Sequence, residues 1–363
     1  MEKRVKNIFS SIETKPEVIL IKNSEMPYID DNFFYFTGLT HGIFEGSLAV
    51  LFPDGKIDLI IPQLEAETAK KARSRIHVYT NESEFNKILK KSVSSYENIG
   101  LNFKGISFRD FLKIKNLLSN CNFFDVSEAI EKTRLVKDEI EIKFIKKACK
   151  IADIVVDKIP RIVHDGIYEY ELAAEINYFM QKNGAEKPAF DTISSFGKNS
   201  AEPHYTHGNV KLKKEDFILC DFGACFKKYN SDITRTFVFG KASTMQKEMY
   251  NVVLNAQKIG FDNIKSGVKA SAVHNAVNSY IDRTKFKGRF IHSTGHSLGL
   301  AVHDSNARFS SNSDILLKEN MVFTVEPGIY IPNLGGVRIE DDVLIKSDRV
   351  ELLTKSPRNL IEI

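Results

Sequence analysis

The sequence predicts an α/β domain over residues 1–130, followed by an α+β domain over residues 131–363. Three observations lead to this fold class. A chain of 363 residues exceeds the usual size of a single hydrophobic core. Strand-like and helix-like segments alternate along its first third. Beyond residue 131, long amphipathic helices are interspersed with strand-like runs that must pair across long stretches of chain.

A hairpin signal is the clearest feature of the N-terminal domain. Strand-like runs at 47–52 and 57–61 flank the Pro-Asp-Gly sequence at 53–55, which is typical of a tight turn. Further predicted elements are strands at 18–21 and 99–103 and a helix at 64–72. Because strands and helices alternate, we expect an α/β arrangement.

The C-terminal domain is predicted to contain three well-marked helices. Apolar residues recur at helical spacing from Asp138 to Ile159, over about five turns of a 3.6-residue helix. A second helix spans 172–180, and a third starts at Ser243, where Gln246 completes a capping box. Strands are predicted at four places: 217–222, 233–239, 321–325 and 337–345.

Composition excludes several classes of function. The 51 basic and 47 acidic side chains leave a net charge of +4, which gives no reason to expect nucleic acid as a partner. No apolar run approaches the roughly 18 residues that span a membrane, and the N-terminus does not resemble a signal peptide. The four cysteines form no C-x-x-C pair, so Cys149 and Cys220 are interpreted as buried free thiols. These features indicate a cytoplasmic protein.

Four acidic residues stand beside otherwise apolar, strand-like runs: Asp221, Asp232, Glu326 and Glu340. An ionised carboxylate in such a setting must be paired, protonated or bound to a metal, because an isolated buried charge is costly. Any one of them could be an edge-strand or turn residue. Four in one domain favour a shared site.

Two predicted hairpins would bring these carboxylates together. The first pair is eleven positions apart, with a turn at 227–230, and the second pair flanks glycine-rich sequence. Carboxylates combined with an imidazole suit manganese, cobalt, iron or zinc rather than calcium alone. The candidate imidazole is His296, because Gly295 and Gly299 on either side permit a close approach of the backbone.

Five ordered sequence blocks resemble the pita-bread metallopeptidase family, in particular its prolidase and aminopeptidase P branch. The blocks are RLVKDEIEI at 134–142, SSFGKNSAEPHYTHGN at 194–209, LCDFGACFKKYNSDITRTF at 219–237, HSTGHSLGLAVHD at 292–304 and VEPGIYIPNLGGVRIEDDVLI at 325–345. FFYFTGL at 33–39 and LIEI at 360–363 also resemble the prolidase branch. The resemblance implies a creatinase-like N-terminal domain and a C-terminal pita-bread catalytic domain.

Carried over residue by residue, the resemblance implies a site for two divalent metal ions. The ions would be manganese or cobalt, with zinc or iron as alternatives. Asp232 and Glu340 would bridge the two ions, Asp221 would bind one of them, and His296 and Glu326 would bind the other.

The family pattern also assigns residues around the metals. Its further catalytic positions fall on His204, His292, His303 and Arg338, beside Glu326 as the proton carrier. The sequence departs from the pattern near the substrate: Ser297, Asp304, Asn306 and Ala307 stand where the family usually has glycine, glutamate, proline and, in several prolidases, arginine. Arg308, one position later, is the candidate for binding the substrate carboxylate.

The implied activity is hydrolysis of the Xaa-Pro bond in a peptide with proline at its second position. Dipeptides are the first candidate substrates, and longer peptides, cleaved by an Xaa-Pro aminopeptidase, are the alternative. A non-catalytic pita-bread binding module and a metal-free, creatinase-like hydrolase are the remaining alternatives, although five intact ligand positions argue against both. The resemblance also implies a homodimer that binds neither nucleic acid nor membrane.

Overall fold

The chain folds into two compact units, Met1–Arg134 and Leu135–Ile363, in a computed structural model that describes residues 1–12 and 16–363. Each unit has hydrophobic core clusters of its own. Among the described residues, no helix is long and apolar enough to cross a membrane.

The N-terminal unit contains a mixed six-stranded sheet with the strand order β4-β3-β2-β1-β5-β6. Its elements are α1 (Glu2–Ser11), β1 (Val18–Lys22), α2 (Asp31–Thr37), β2 (Leu48–Leu51), β3 (Ile57–Pro62), α3 (Ala66–Ala69), β4 (Arg75–Tyr79), α4 (Glu82–Val93), β5 (Asn98–Leu101), α5 (Phe108–Leu117), β6 (Asn122–Asp125) and α6 (Ser127–Leu135). Strand β1 lies inside the sheet, between β2 and β5, and is buried along its whole length.

The hairpin predicted around residues 53–55 is confirmed. Gly55 has a φ of +92°, and its N–H donates to the Phe52 carbonyl at 2.9 Å, which closes the turn between β2 and β3. The helix predicted at 64–72 is shorter, because Gln63–Glu65 form a 3-10 turn before α3. Only Ala69 is buried in this segment, so too little packing supports a longer helix.

The C-terminal unit combines five helices with several small antiparallel sheets. Its elements are α7 (Glu139–Val156), α8 (Ile159–Ile162), α9 (Glu169–Lys182), β7 (Lys187–Pro188), β8 (Ile193–Phe196), β9 (Phe217–Phe222), β10 (Ala224–Phe226), β11 (Tyr229–Asn230), β12 (Ile233–Val238), α10 (Thr244–Asn263), α11 (Ala270–Asp282), β13 (Gly295–His296), β14 (Arg308–Phe309), β15 (Val322–Val325), β16 (Gly328–Ile331), β17 (Gly335–Arg338), β18 (Asp341–Ile345) and β19 (Val350–Leu352). Apolar faces of α7 and α9 share a core with β9 and β12, and α10 and α11 share another with β17.

Side chains cap the predicted helices where the sequence indicates. Asp138 accepts hydrogen bonds from the backbone N–H groups of Ile140 and Glu141 at the start of α7. Ser243 and Gln246 form the predicted capping box at the start of α10. These caps satisfy amide groups that have no partner inside the helix, and they fix the first turn of each helix.

Both predicted hairpins are present. β9 pairs with β12 in antiparallel register, with Asp221 opposite Thr234, and β16 pairs with β17. The strand predicted at 337–345 is wrong in one respect, because it is two strands. β17 pairs with β16 and β18 pairs with β15, so the chain changes partners at Ile339 and Glu340. Glu340 therefore lies at a break between two sheets, where its N–H donates to the Thr234 carbonyl at 3.1 Å.

Candidate active site

One cavity of the C-terminal unit, with a volume of about 670 Å³, is lined by all ten residues that the sequence analysis singled out. They are His204, Asp221, Asp232, His292, His296, His303, Arg308, Glu326, Arg338 and Glu340. The remaining lining residues include the apolar side chains of Phe190, Ile193 and Val302. The cavity therefore joins a charged cluster to an apolar wall, an arrangement typical of a small-molecule or peptide site.

Three side chains converge closely enough to share a cation. One ligand atom each from Asp232, His296 and Glu340 lies within 4.8 Å of the others, and all three residues are buried. Nε2 of His296 lies 3.6 Å from Asp232 Oδ2 and 3.5 Å from Glu326 Oε1. The Oδ1 atoms of Asp221 and Asp232 are buried and have no hydrogen-bond partner in the described part of the chain. Unpartnered buried carboxylate oxygens of this kind fit the ligand set of a divalent metal ion.

Burial disturbs the protonation of the same groups. Loss of solvent, followed by repulsion from neighbouring carboxylates, raises the pKa of Asp232 and of Glu340 well above the usual range. Burial also raises the pKa of Glu326 to about 7. Burial lowers the pKa of His296 to about 3, so its ring is neutral and can offer a nitrogen lone pair to a metal. A bound cation would relieve the repulsion among the carboxylates.

A close approach of two strand ends sets the positions of Asp221 and Asp232. A Cβ on Gly223 would lie only 1.9 Å from the carbonyl oxygen of Ser231, so no other residue fits there without displacing the backbone. The side chain of Thr234 donates to Glu340 Oε2 at 2.6 Å and thereby ties the third carboxylate to the same hairpin.

A second glycine contact places His296 beside Glu326. A Cβ on Gly295 would lie 1.9 Å from the Thr324 carbonyl oxygen, which shows how closely β13 approaches β15. The His296 N–H donates to Thr324 Oγ1 at 3.1 Å. The Glu326 N–H donates to the Thr294 carbonyl at 2.8 Å. These bonds hold the imidazole and the carboxylate on adjacent backbone segments.

Arg338 connects one carboxylate to a residue that the sequence analysis missed. Its guanidinium donates to Asp221 Oδ2 at 2.6 Å and to the hydroxyl of Tyr330 at 2.8 Å. The same hydroxyl lies 2.9 Å from Nε2 of His292. Tyr330 thus extends a hydrogen-bonded chain from Asp221 to the cavity wall. In the sequence Tyr330 follows Gly328 and Ile329 in a strand-like run, so nothing distinguishes it from an ordinary core tyrosine.

His303 and Arg308 lie on the loop that follows His296. The rings of His296 and His303 meet edge to face, with centroids 4.3 Å apart. Burial, and then the positive charge of Arg308, lowers the pKa of His303. Arg308 stands opposite His296 in the β13–β14 ladder. His207 and His274, which match no family position, instead contact Thr192 and Thr294 through Nδ1.

The fold and the cavity define the protein as a two-domain enzyme of the metallopeptidase class. The family model of metallopeptidase family M24 matches residues 143–347, and the model of the creatinase/prolidase N-terminal domain matches residues 15–136. The chain therefore belongs to metallopeptidase family M24, and it shares that family's dependence on divalent metal ions. The predicted family and fold class are confirmed.

Relatives and solved structures resemble the chain over nearly its whole length. It is 39% identical to the Xaa-Pro dipeptidase of Pyrococcus furiosus, over 91% of this chain and 92% of the relative. Identity to the Xaa-Pro dipeptidase of Pyrococcus horikoshii is 36%, over 99% of each chain. The structure of an X-Pro aminopeptidase from Thermotoga maritima matches with a TM-score of 0.91 and 32% identity, covering 96% of this chain and 98% of that one. The prolidase structure from Pyrococcus horikoshii matches with a TM-score of 0.90 and 35% identity, covering 99% and 100%.

Proposed function

We propose that the protein hydrolyses the peptide bond before proline and that Xaa-Pro dipeptides are its preferred substrates. The main support is the convergence of Asp232, His296 and Glu340 in a cavity that also contains further carboxylates, histidines and two arginines. The two Pyrococcus relatives, both named Xaa-Pro dipeptidases, support the choice of substrate.

Five side chains of this cavity hold two metal ions in our proposal. Asp232 and Glu340 would be shared between the two ions, Asp221 would hold one of them, and His296 and Glu326 would hold the other. Four carboxylates and a neutral imidazole suit manganese or cobalt, with zinc and iron as the alternatives. When bound, such ions lower the pKa of water from about 15.7 toward neutrality and polarise the substrate carbonyl.

Protein side chains move the protons of the reaction. Glu326 accepts a proton from the attacking water and passes it to the departing nitrogen. This transfer matters because the nitrogen of an Xaa-Pro bond carries no proton of its own. His303 donates a hydrogen bond to the oxyanion of the tetrahedral intermediate. His204 lies at the leaving-group side, while Tyr330 orients His292 and Arg338 holds Asp221 in place.

Arg308 binds the C-terminal carboxylate of a dipeptide in this scheme. Its side chain lines the cavity and, within residues 1–12 and 16–363, makes no ion pair. A charge-assisted hydrogen bond contributes roughly 1.5–3 kcal/mol, so its loss raises KM about tenfold or more. A longer peptide has no carboxylate at this position and gains nothing from Arg308.

The test compares Xaa-Pro, Xaa-Pro-amide and Xaa-Pro-Yaa as substrates of the manganese-loaded enzyme and its Arg308→Ala variant. We expect Xaa-Pro to be preferred, and the substitution to raise KM for Xaa-Pro alone. Arg349→Ala, which removes an exposed arginine outside the cavity, serves as the control. If Arg308→Ala weakens Xaa-Pro and Xaa-Pro-amide equally, or neither, Arg308 does not bind the carboxylate.

The second candidate is an Xaa-Pro aminopeptidase that accepts longer peptides, a name carried by the similar Thermotoga maritima structure. Preference of the wild-type enzyme for Xaa-Pro-Yaa would establish it. If the wild-type protein retains metal but turns over none of the three substrates, a non-catalytic binding module is favoured instead.

We further propose a cytoplasmic homodimer whose catalytic domain comprises residues 131–363. The division of the structure between Arg134 and Leu135, which lies within a few residues of this boundary, supports it. Buried thiols such as Cys149 and Cys220 support a reducing compartment. Light scattering of the metal-loaded protein at micromolar concentration tests the dimer, and a mass of one chain would contradict it.

A further inference from the structure

A fully buried ion pair lies just outside the cavity. Nζ of Lys137 is 2.7 Å from Oδ2 of Asp304, and the two side chains are 0% and 2% exposed. Replacing a buried pair of this kind with apolar residues is often neutral or stabilising, so its contribution to stability does not explain its presence. Asp304 directly follows His303 in the sequence. Lys137 lies in the RLVKDEIEI block, to which the proposed mechanism assigns no role.

The carboxylate of Asp304 closes the turn that carries His303. Oδ1 accepts a hydrogen bond from the Ala301 N–H at 3.0 Å, and the Asp304 N–H donates to the Ser297 carbonyl at 3.0 Å. The turn also passes so close to Gly299 that a Cβ there would lie 2.5 Å from Oδ2. Asp304, which directly follows His303, is therefore bonded to Ser297, which directly follows His296.

Lys137 supplies a fixed point for that turn. Its N–H donates to the Asn320 carbonyl at 2.9 Å, and the neighbouring Val136 pairs with Met321 at the start of β15. The next residue, Asp138, is the N-cap of α7. Because its backbone is held on both sides, Lys137 presents its ammonium group to the turn from a rigid position.

We propose that the Lys137–Asp304 ion pair positions the imidazole of His303 against His296 and the substrate carbonyl, an inference that rests on the role proposed for His303. The His303 ring meets the His296 ring edge to face, with the centroids 4.3 Å apart, so its position depends on the turn that carries it. A displacement of a catalytic group by about 1 Å can lower turnover roughly 10²-fold, even when the substitution that causes it lies outside the cavity. Lys137 and Asp304 are positioning residues, since neither lines the cavity.

A double-mutant cycle tests whether the pair acts through His303. Lys137→Met is made in the wild-type enzyme and in His303→Ala, and kcat, KM and metal content are measured for Xaa-Pro. We expect Lys137→Met alone to lower kcat about ten- to a hundredfold, with KM and metal content nearly unchanged. In the His303→Ala background it should cause no further loss, because the group it positions is already absent.

Three results would overturn the inference. An equal loss of kcat in both backgrounds would show that Lys137 acts elsewhere. An unchanged kcat in Lys137→Met would show that the pair is only structural. Wild-type activity of His303→Ala would refute the role of His303 itself, and so would identify the proposed mechanism as the failure.

A matched pair of variants covers the case in which Lys137→Met does not fold, since it removes the ammonium group that faces the buried Asp304 carboxylate. Lys137→Met with Asp304→Asn is neutral and keeps an oxygen to accept from Ala301. Lys137→Met with Asp304→Leu is also neutral but lacks that acceptor. At equal metal content, we expect the asparagine variant to have a kcat about tenfold or more above the leucine variant. Equal kcat values would overturn the inference.

Discussion

Glu326, whose side chain is 15% exposed and lines the cavity, is the residue that we propose as the proton carrier. Replacing it with glutamine keeps an oxygen that can bind metal but removes the group that carries the proton. We expect Glu326→Gln to fold, to retain metal and to lose roughly 10²–10⁴-fold in kcat. Turnover and metal content of manganese-loaded protein provide the measurement. Activity near that of the wild type would show that another residue carries the proton.

Site residues differ in how readily their roles can be predicted from the sequence. Asp221 and Glu340 could be predicted because a carboxylate beside an apolar run is a conflict that needs a partner. Tyr330 gives no such signal, since a tyrosine in a strand commonly packs in a hydrophobic core. Lys137 precedes a helix cap, where a solvated lysine is the ordinary expectation. The structure shows instead that its side chain is buried and contacts Asp304, 167 positions away.

At the scale of elements, Gly223 determines whether the hairpin between β9 and β12 can close. An alanine there would place its methyl carbon 1.9 Å from the Ser231 carbonyl oxygen, so the strand ends bearing Asp221 and Asp232 must separate. We expect Gly223→Ala to destabilise the protein by about 1–3 kcal/mol and to weaken metal binding. Thermal unfolding and metal analysis measure the two effects.

Gly240→Ala is the matched control for this substitution. Its φ is +82°, so alanine is strained there by about 1–2 kcal/mol, but the added methyl meets nothing within 4 Å. It should lower stability without affecting metal retention. If both variants keep their metals equally well, close approach at Gly223 does not determine the site.

The predicted elements were reliable where local signals were strong. Capping residues fixed the starts of α7 and α10, and alternating or apolar runs located β9 and β12. The sequence does not predict the division of residues 337–345 into two strands, because strand-forming residues such as Val337, Ile339 and Val343 occur on both sides of the break and the two strands differ in their partners. Pairing across long stretches of chain is a tertiary property, which local sequence does not encode.

At the scale of the whole molecule, the carboxylate cluster predicts how stability depends on pH and metal. Burial raises the pKa of Glu326 to about 7, from an ordinary value of 4.5. At this residue the metal-free folded state then holds more protons than the unfolded state between these values. The contribution of Glu326 to stability should therefore be fully present below about pH 4.5 and be lost as the pH rises through about 7, whereas His296, whose pKa burial lowers to about 3, contributes in the opposite direction.

Metal ions bind the ionised carboxylates, so they should reverse this trend. We expect manganese to raise the unfolding temperature of chelator-treated protein more at pH 7 than at pH 5. Between pH 5 and pH 7, the metal-free wild type should lose stability relative to metal-free Glu326→Gln. An identical pH dependence of the two metal-free proteins, or an equal effect of manganese at both pH values, would contradict the expectation.

The hydrogen bond between Thr234 and Glu340 joins residues 106 positions apart. During biosynthesis, a chain that ends anywhere before residue 340 lacks one of the two proposed bridging ligands. We expect the ribosome-bound intermediate to hold the metals weakly and the released protein to acquire them last, after slow long-range pairing. The concentrations of free metal ions in the cell after release, rather than selection during translation, then determine which metal each molecule binds.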